Sequence, residues 1–482
     1  MPHTGRKLLL GLFATTLMWI GLAETSWALE PEAAASHEPP TALLPMFVIG
    51  GIMVATYIAI AFELVHKSLA AIGGAVVAVG AAMALGLYPH GYESVHLTIG
   101  HDLGVLGVLL GTSILVEIAG HSGLFHFISV KIVKRTKGCP KKLFLYIGAL
   151  TVVFCTFLTI APGTLIMVTL ALAVTKELKY DPKPYVMLVA ITANSGALVT
   201  FASGICTMMV GSKANLAYVD FFRVTTPIAI ISAIIAYYIL RYLYRAALEV
   251  KDDGKARAEL VATFDEWALV KDRRIFFRSA FILILTIIGF ATAQPMGLGL
   301  DFIAMAGGAA ALLLSGFDPE KAIKTVKWPL IVFFIGLFVI IGAVQETGLL
   351  AKMAEGITVI SGGSQVITMV ILGVFVLVLS GIVDNIPVAA TLIPIVAAMG
   401  EAGYDTTPLW WTLIICSNLG GNSTPVGSVA AVIALHALEK ERGIKVGWGE
   451  FLKVGTLVLL VQGVVAVGYL LLFEAFDLFP RG

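Results

Sequence analysis

The sequence predicts an all-α polytopic membrane protein built from two inverted repeats, and three observations carry this prediction. Of its 482 residues, 58% are hydrophobic and only 13% are charged, whereas soluble domains carry about 25% charged residues. The second half of the chain resembles the first half at an offset of 225 positions, which aligns Gly111 with Gly336 and Pro162 with Pro387. An apolar segment broken by proline therefore recurs in both halves, a pattern typical of secondary transporters with a binding site between the breaks.

The first 42 residues precede every predicted span. Residues 1–28 are predicted to be a signal peptide, with a basic start, an apolar core and the cleavage site Ser26-Trp27-Ala28. The alternative is an uncleaved first helix. Residues 29–42 are rich in Pro, Ala and Glu, and we expect a disordered periplasmic segment.

The rest of the chain divides into corresponding parts. The predicted parts are a leading helix (43–68), a first inverted repeat (69–244), a cytoplasmic linker (245–276), a leading helix of the second half (277–300), a second inverted repeat (301–474) and a C-terminal tail (475–482). Ten transmembrane crossings plus two re-entrant hairpins follow from the apolar runs, with both termini in the periplasm. We therefore expect a multi-pass protein of the bacterial inner membrane.

The first hairpin is predicted from the charges of its flanking loops. Loops 131–142 and 176–184 are both rich in lysine, which places both in the cytoplasm. A re-entrant hairpin with its tip at residues 159–163 satisfies both loops, since irregular backbone is tolerated at membrane depth when protein buries it. One continuous span over 103–130 leads into it, and a span over 185–218 follows with a polar, glycine-rich break.

The sequence of the second half predicts the same elements in the opposite orientation. A hairpin with arms near 365–383 and 386–399 enters from outside, because its exit loop EAGYDTT carries no Lys or Arg. The span over 408–435 is broken at SNLGGNSTPVGS. These two broken elements mirror those of the first half.

Asp384 is the strongest candidate functional residue. It lies in the apolar stretch SGIVDNIPVAATLIPIV, at the position that the shift aligns with Thr159. A carboxylate at membrane depth costs roughly 2.5–3.5 kcal/mol on insertion scales, so its presence indicates function. The alternative is a hydrogen-bonded structural acid.

The polar residues of the four breaks are expected to meet near the midplane. The candidate site residues are Thr159, Asn194, Ser195, Thr200 and Ser203 in the first half and Asp384, Asn385, Asn418, Asn422, Ser423 and Thr424 in the second. Asp384, Asn194 and Asn418 are the candidate Na⁺ ligands. Carboxylates, hydroxyls and freed carbonyls suit a hard cation, whereas N–H groups at half-helix starts suit an anion, so the architecture can serve either charge.

Two further charged residues lie within or beside the spans. Glu117, in the middle of a span, could bind an ion or carry a proton, or anchor the helix bundle. Lys213 could balance Asp384 or extend to the interface. The chain carries no HExxH, GxSxG or Walker-type motif, so no enzyme is predicted. We expect no cofactor beyond Na⁺ or H⁺ as coupling ion, and a net charge of +1 gives no reason to expect a nucleic-acid partner.

Three stretches resemble a known family. They are TYIAIAFELVHKSLAAIGGA (56–75), WPLIVFFIGLFVIIGAVQETGLL with VDNIPVAATLIPIV (328–350 and 383–396), and SNLGGNSTPVGSVAAVIA (417–434). They are similar to the ion transporter superfamily, in particular to the group of ArsB proteins, NhaD proteins and the melanosomal P protein, with a citrate transporter-like domain.

The resemblance implies a homodimer with scaffold and transport regions and elevator-like alternating access. NhaD-type members exchange sodium for protons and carry an Asp-Asn pair in both hairpin tips. Here only the second tip has that pair, Asp384-Asn385, while the first has Thr159-Ile160. ArsB-like members export arsenite, and more distant relatives import citrate or dicarboxylates with sodium.

The preferred hypothesis is an ion-coupled secondary transporter that exchanges Na⁺ or another cation for protons at Asp384. The alternative is sodium- or proton-coupled transport of an anion or oxyacid, either arsenite efflux or dicarboxylate or citrate uptake. The absence of an intramembrane arginine in the sequence counts against a carboxylate clamp. A channel is the second alternative.

Overall fold

Capping residues and backbone turns determine where the helices of this protein begin and end. The computed structural model describes residues 43–61, 64–88, 91–101, 103–249, 254–270, 272–293, 295–326 and 328–480. The predicted signal peptide and periplasmic segment lie outside these residues. Every regular element within them is a helix, which confirms the all-α fold class.

Twelve of the described helices lie in the first half, counting the linker helix and the one that follows it. They are α1 (Leu43–Ala61), α2 (Lys67–Ala84), α3 (Glu93–His101), α4 (Leu103–His121), α5 (Leu124–Arg135), α6 (Pro140–Leu158), α7 (Ile160–Glu177), α8 (Lys183–Gly196), α9 (Ile205–Lys213), α10 (Tyr218–Leu243), α11 (Gly254–Ala262) and α12 (Arg273–Thr292). The linker helix α11 was not predicted.

The second half repeats much of this order. Its helices are α13 (Leu300–Ser315), α14 (Pro319–Thr325), α15 (Trp328–Gln345), α16 (Leu349–Ser361), α17 (Gln365–Ile382), α18 (Asn385–Glu401), α19 (Thr406–Gly420), α20 (Val429–Arg442) and α21 (Trp448–Ala475). The predicted interrupted spans are the pairs α8–α9 and α19–α20, each separated by a break without regular structure.

Ten of the described helices are long and apolar enough to cross a membrane, although they are not the ten predicted crossings. Three of them, α6, α7 and α17, are hairpin arms, whereas α13 is too short to be counted. Helix length therefore does not separate crossings from hairpins in this chain.

Hydrogen bonds at the base of each hairpin show that its two ends lie on the same side. In the first, the hydroxyl of Tyr180 after α7 donates to the carbonyl of Gly138 before α6 at 2.6 Å. In the second, the hydroxyl of Tyr404 after α18 lies 3.2 Å from Oγ of Ser361 before α17. Because entry and exit touch in both cases, each pair of arms forms the predicted helical hairpin, while the re-entrant course of these hairpins in a membrane stays a prediction.

Equivalent helix crossings recur at the predicted shift. Gly111 of α4 packs so closely on α13 that a Cβ would collide with the backbone of Ala304. Its counterpart Gly336 of α15 packs on α2, where a Cβ would lie 2.6 Å from the backbone of Ala71. Small residues let helix backbones approach closely within a membrane. In both crossings, one helix comes from the first half of the chain and the other comes from the second half. The opposite orientation of the halves across the membrane stays a prediction.

Three predicted boundaries are corrected. The span over 103–130 is two helices, because Gly123 adopts a left-handed conformation (φ 82°) that starts a new helix. The leading helix 43–68 ends at Ala61, and Lys67 opens the next helix after the cap His66. The second leading helix starts at Arg273 rather than at residue 277, since the side chain of Asp272 caps it.

The break of the first hairpin is narrower than predicted. Only Thr159 separates α6 from α7, instead of five residues, because its backbone (φ 65°, ψ 165°) alone reverses the direction of the chain. Pro162 lies in the first turn of α7, where its missing N–H has no helical partner to lose. The second break comprises two residues, Val383 and Asp384, which is as wide as the gap predicted between the arms 365–383 and 386–399.

Candidate functional site

A cavity of about 870 Å³ lies between the two hairpin tips. Thr159 to Pro162 line it from the first tip, and Asp384 to Pro387 from the second. The remaining walls come from the starts of α2, α9, α15 and α20 and from the middle of α4. Residues that are far apart in sequence therefore converge as the broken segments predicted, although not all of the predicted site residues take part.

Asp384 and Lys67 form an ion pair in the wall of this cavity. Nζ of Lys67 lies 2.6 Å from Oδ2 of Asp384, whose side chain is 9% exposed, while that of Lys67 is 36% exposed. The other carboxylate oxygen accepts a hydrogen bond from the backbone N–H of Ile386 at 3.3 Å, which caps α18. The helix start and the ammonium both stabilise the charged carboxylate.

Lys67 replaces Lys213 as the partner of Asp384. Lys213 ends α9 and is exposed, so it does not provide the balancing charge that the sequence allowed. Lys67 is the first residue of α2, a position where the helix dipole disfavours a cation. That unfavourable placement is the sequence signal that could have identified Lys67 as a functional residue.

Thr159 occupies the position equivalent to Asp384 but differs in chemistry. It precedes α7 as Asp384 precedes α18, yet its side chain makes no capping hydrogen bond. Its positive φ with an extended ψ is a region that residues other than glycine rarely adopt and that costs about 1–3 kcal/mol. The two tips therefore present one acid and one strained neutral residue to the cavity.

Six of the described helices begin at the cavity wall. The residues from their first turns that line it are Lys67, Ile160, Ile205, Pro329, Asn385 and Val429. Helix starts carry free N–H groups and a partial positive charge. The cavity therefore combines the Asp384 carboxylate with surroundings that also favour negatively charged groups.

Two further residues that the sequence predicted for the site, Glu117 and Asn385, line the cavity. Oε1 of Glu117 lies 3.0 Å from Nε2 of His121, one helical turn later on α4. The pair is partly exposed, so it lies at an accessible part of the wall. Asn385, next to the acid, is 3% exposed and borders the cavity.

The asparagines of the broken helices lie elsewhere, in the packed interior. Nδ2 of Asn194 donates to Oδ1 of Asn422 at 2.8 Å, and Nδ2 of Asn422 donates to Oε1 of Gln462 at 2.8 Å. Nε2 of Gln462 in turn donates to the carbonyl of Ser232 at 2.8 Å. This amide chain connects both breaks with α21 and α10. Gln462 was not among the predicted site residues, although a glutamine in an apolar span is itself a signal.

Four further predicted hydroxyl groups form hydrogen bonds with backbone groups, two of them within their own break and two with the hairpin arms α6 and α17. Oγ of Ser203 donates to the carbonyl of Ala197, and Oγ1 of Thr200 to that of Thr156. Ser423 donates to Gly381, and Thr424 accepts from the N–H of Gly427. These four hydroxyls shape the breaks, and the cavity wall does not include them.

The expectation of one shared cluster at the midplane is therefore corrected. Thr159, Asp384, Asn385 and Glu117 line the cavity, whereas Asn194, Ser195, Asn418 and Asn422 are fully or almost fully buried away from its wall. The reason is geometric. The hairpin tips end at the cavity, while the last turns of α8 and α19 pack against other helices.

A multi-pass membrane transporter is the class of protein that this fold and cavity define. The chain belongs to the citrate transporter family (CitMHS), whose model matches residues 57–416. The "46 kDa membrane protein" of Mycobacterium leprae is 28% identical over 427 residues, covering 87% of this chain and 96% of that protein. The "Uncharacterized transporter slr0753" of Synechocystis sp. is 25% identical over 465 residues, covering 91% and 99%.

Two further similarities extend the comparison. The P protein of Mus musculus is 23% identical over 498 residues, which cover 87% of this chain but 59% of that longer protein. The crystal structure of the Alcanivorax borkumensis YdaH transporter superposes with a TM-score of 0.60 at 15% identity, covering 86% of this chain and 100% of that one. This likeness confirms the fold, and the sequence family agrees with the predicted superfamily.

Proposed function

We propose that the protein is an ion-coupled secondary transporter that exchanges a cation such as Na⁺ for protons, with Asp384 as the shared site. The observation that carries this proposal is the ion pair between Asp384 and Lys67 in the cavity wall. A metal cation that binds the carboxylate competes with the ammonium for the same oxygens. Asp384 is only 9% exposed and a buried charge without a partner is destabilising, so the incoming cation takes the place that Lys67 leaves.

Proton movement follows from this competition. The carboxyl group of Asp384 releases one proton to the cavity as the cation binds and takes up one proton when the cation leaves, while Lys67 keeps its proton and competes with the cation for the carboxylate. Lys67 belongs to α2, whereas Asp384 belongs to the second hairpin. The pair therefore links the charge of the site to the relative position of two elements, which supports the elevator-like movement that we propose.

The test is a pH-gradient dequenching assay in proteoliposomes with added Na⁺, Li⁺ or K⁺. We expect cation-evoked proton movement in the wild type and its loss in Asp384→Asn. The matched control is Asp405→Asn, because Asp405 also caps a helix, accepting from the N–H of Thr407 at 2.9 Å, but it does not line the cavity. Absence of any response in folded wild-type protein would exclude the antiporter.

A second candidate is coupled transport of an anion or oxyacid, and the six helix starts around the cavity support it. The description of the matching family, citrate transporter, points the same way. In this case Asp384 holds the coupling cation while N–H groups hold the substrate. Uptake of labelled citrate and efflux of arsenite, each measured with and without a Na⁺ gradient, distinguish this function from antiport.

A homodimer is part of the proposal. The close crossings of α4 on α13 and of α2 on α15 give a rigid framework that supports a scaffold role for these helices. Light scattering of the detergent-solubilised protein gives the protomer number, and a monomeric mass with full activity would contradict this part.

A further inference from the structure

We propose that the end of α10 that leads into the linker binds the headgroup of an anionic phospholipid through Arg241 and Arg245. The guanidinium group of Arg241 lies 5.8 Å from the ring centre of Tyr237 and donates a hydrogen bond to its hydroxyl at 3.0 Å. That of Arg245 lies 5.4 Å from the ring centre of Tyr242. Neither arginine forms an ion pair with a residue that the structure describes. Both cations are therefore held on tyrosine rings, and their counter-anion comes from outside the chain.

The charges around this helix end leave an excess of positive charge. The C-terminal end of a helix carries about half a negative elementary charge, which is less than the charge of two arginines. The carboxylates near this end have other partners. Oε1 of Glu249 lies 3.4 Å from Nζ of Lys141. Oε1 of Glu450 lies 2.6 Å from Nζ of Lys183, and Asp181 accepts from the backbone N–H of that lysine at 3.0 Å. Because guanidinium binds phosphate through two parallel hydrogen bonds, a phosphate group fits the arginine pair.

An exposed stripe of α10 leads from the middle of the helix to the arginines. Ile231, Ile234, Tyr238 and Tyr242 are 37% to 68% exposed, and their spacing of three or four residues places them on one face. The stripe is roughly 16 Å long at a rise of 1.5 Å per residue, about half of the roughly 30 Å hydrocarbon core of a bilayer. Isoleucine in the middle and tyrosine towards the end suit acyl chains and the membrane interface respectively. The stripe therefore matches one leaflet.

A phospholipid fits this surface better than a second copy of the chain does. In a two-fold dimer the same patch comes from both subunits, so a second pair of arginines would add to the positive charge. A phospholipid supplies acyl chains for the isoleucines and a phosphate for the guanidinium groups. Loop charge predicts that this end of α10 faces the cytoplasm, where basic pockets beside membrane helices bind anionic headgroups.

The test is thermal unfolding of the full-length protein in detergent micelles that contain phosphatidylglycerol or phosphatidylcholine, at equal lipid content and ionic strength. A ligand that binds only the folded state raises Tm, so phosphatidylglycerol should give the wild type a higher Tm than phosphatidylcholine. Arg241→Gln combined with Arg245→Gln should abolish this difference, while the Tm in phosphatidylcholine stays close to that of the wild type.

Arg278→Gln is the matched control. Arg278 is an exposed arginine near the start of α12, and its guanidinium group donates to the carbonyl of Leu314 at 3.1 Å. This variant should keep the full difference between the two lipids. If the double variant does not fold, Arg245→Gln alone, which leaves the hydrogen bond between Arg241 and Tyr237 in place, should reduce the difference.

Four results would each overturn the lipid site. They are equal Tm values of the wild type in both lipids, a full difference in the double variant, an equal loss in Arg278→Gln, and the same rise in Tm with inorganic phosphate in lipid-free micelles. The last result would assign the arginines to a free anion. Because the readout is stability and not transport, this inference stands or fails separately from the proposed exchange at Asp384.

Discussion

Lys67 and Asp384 are 317 residues apart in sequence, yet their charged atoms lie 2.6 Å apart in the wall of the cavity. The lysine opens α2 and the acid caps α18. Because the ion pair joins two elements that meet only in the folded protein, we expect it to control both the affinity for a cation and the position of the hairpin.

Lys67→Ala should lower the Na⁺ concentration for half-maximal exchange, because the ammonium no longer competes for the carboxylate. Lys67→Arg should raise it, since guanidinium binds a carboxylate more tightly and stays charged. Dequenching at graded Na⁺ measures both, with Lys213→Ala, an exposed lysine outside the cavity wall, as control. Equal half-saturating concentrations in all variants would exclude Lys67 as a competitor.

Gly111→Ala and Gly336→Ala should each destabilise the protein by about 1–3 kcal/mol through overpacking. The new methyl group would meet backbone atoms of the crossing helix, which cannot rotate away. Thermal unfolding in detergent measures the effect. Gly80→Ala is the control, because no atom lies within 4 Å of its added Cβ, and a similar loss there would show that the crossings are not specially close.

Thr159→Gly should stabilise the folded protein by up to about 1 kcal/mol, because glycine adopts a positive φ without steric cost. The comparison is Thr169→Gly in the regular part of α7, which should lower Tm instead. A lower Tm in Thr159→Gly would show that the side chain contributes more than its backbone costs. Transport by this variant, measured alongside, tests whether the strained tip has a function.

Acid should release the linker from α5. Glu266 pairs with Lys134, and this hydrogen bond holds the pKa of Glu266 below its ordinary value of 4.5. A carboxyl group whose pKa is lower in the folded state stabilises the fold above pH 4.5. This stabilisation is lost as the pH falls through the folded-state pKa. The effect is small because both side chains are partly exposed to solvent.

Hydrogen exchange of residues 254–270 between pH 3 and pH 6 measures this release. Glu266→Gln should remove the pH dependence of exchange beyond the intrinsic chemical rate. An unchanged dependence in this variant would assign the effect to another acid, for which Asp265→Asn is the neighbouring control.

Hydropathy, loop charge and proline breaks were sufficient to predict the helices and the two hairpins, because these signals act over one or two helix lengths. The pairs Gly111–Gly336 and Thr159–Asp384 are aligned by the amino-acid sequence alone. The hydrogen bonds at Tyr180 and Tyr404 confirm the hairpins that the loop charges predicted.

Which polar residues meet depends instead on the tertiary structure. Pairing of Lys67 with Asp384, and separation of Asn194 and Asn418 from the cavity, follow from how the helices cross. Local capping residues determine where a helix ends, so the sequence predicts the position of that end. The direction in which its last polar side chain points is set by packing against elements hundreds of residues away.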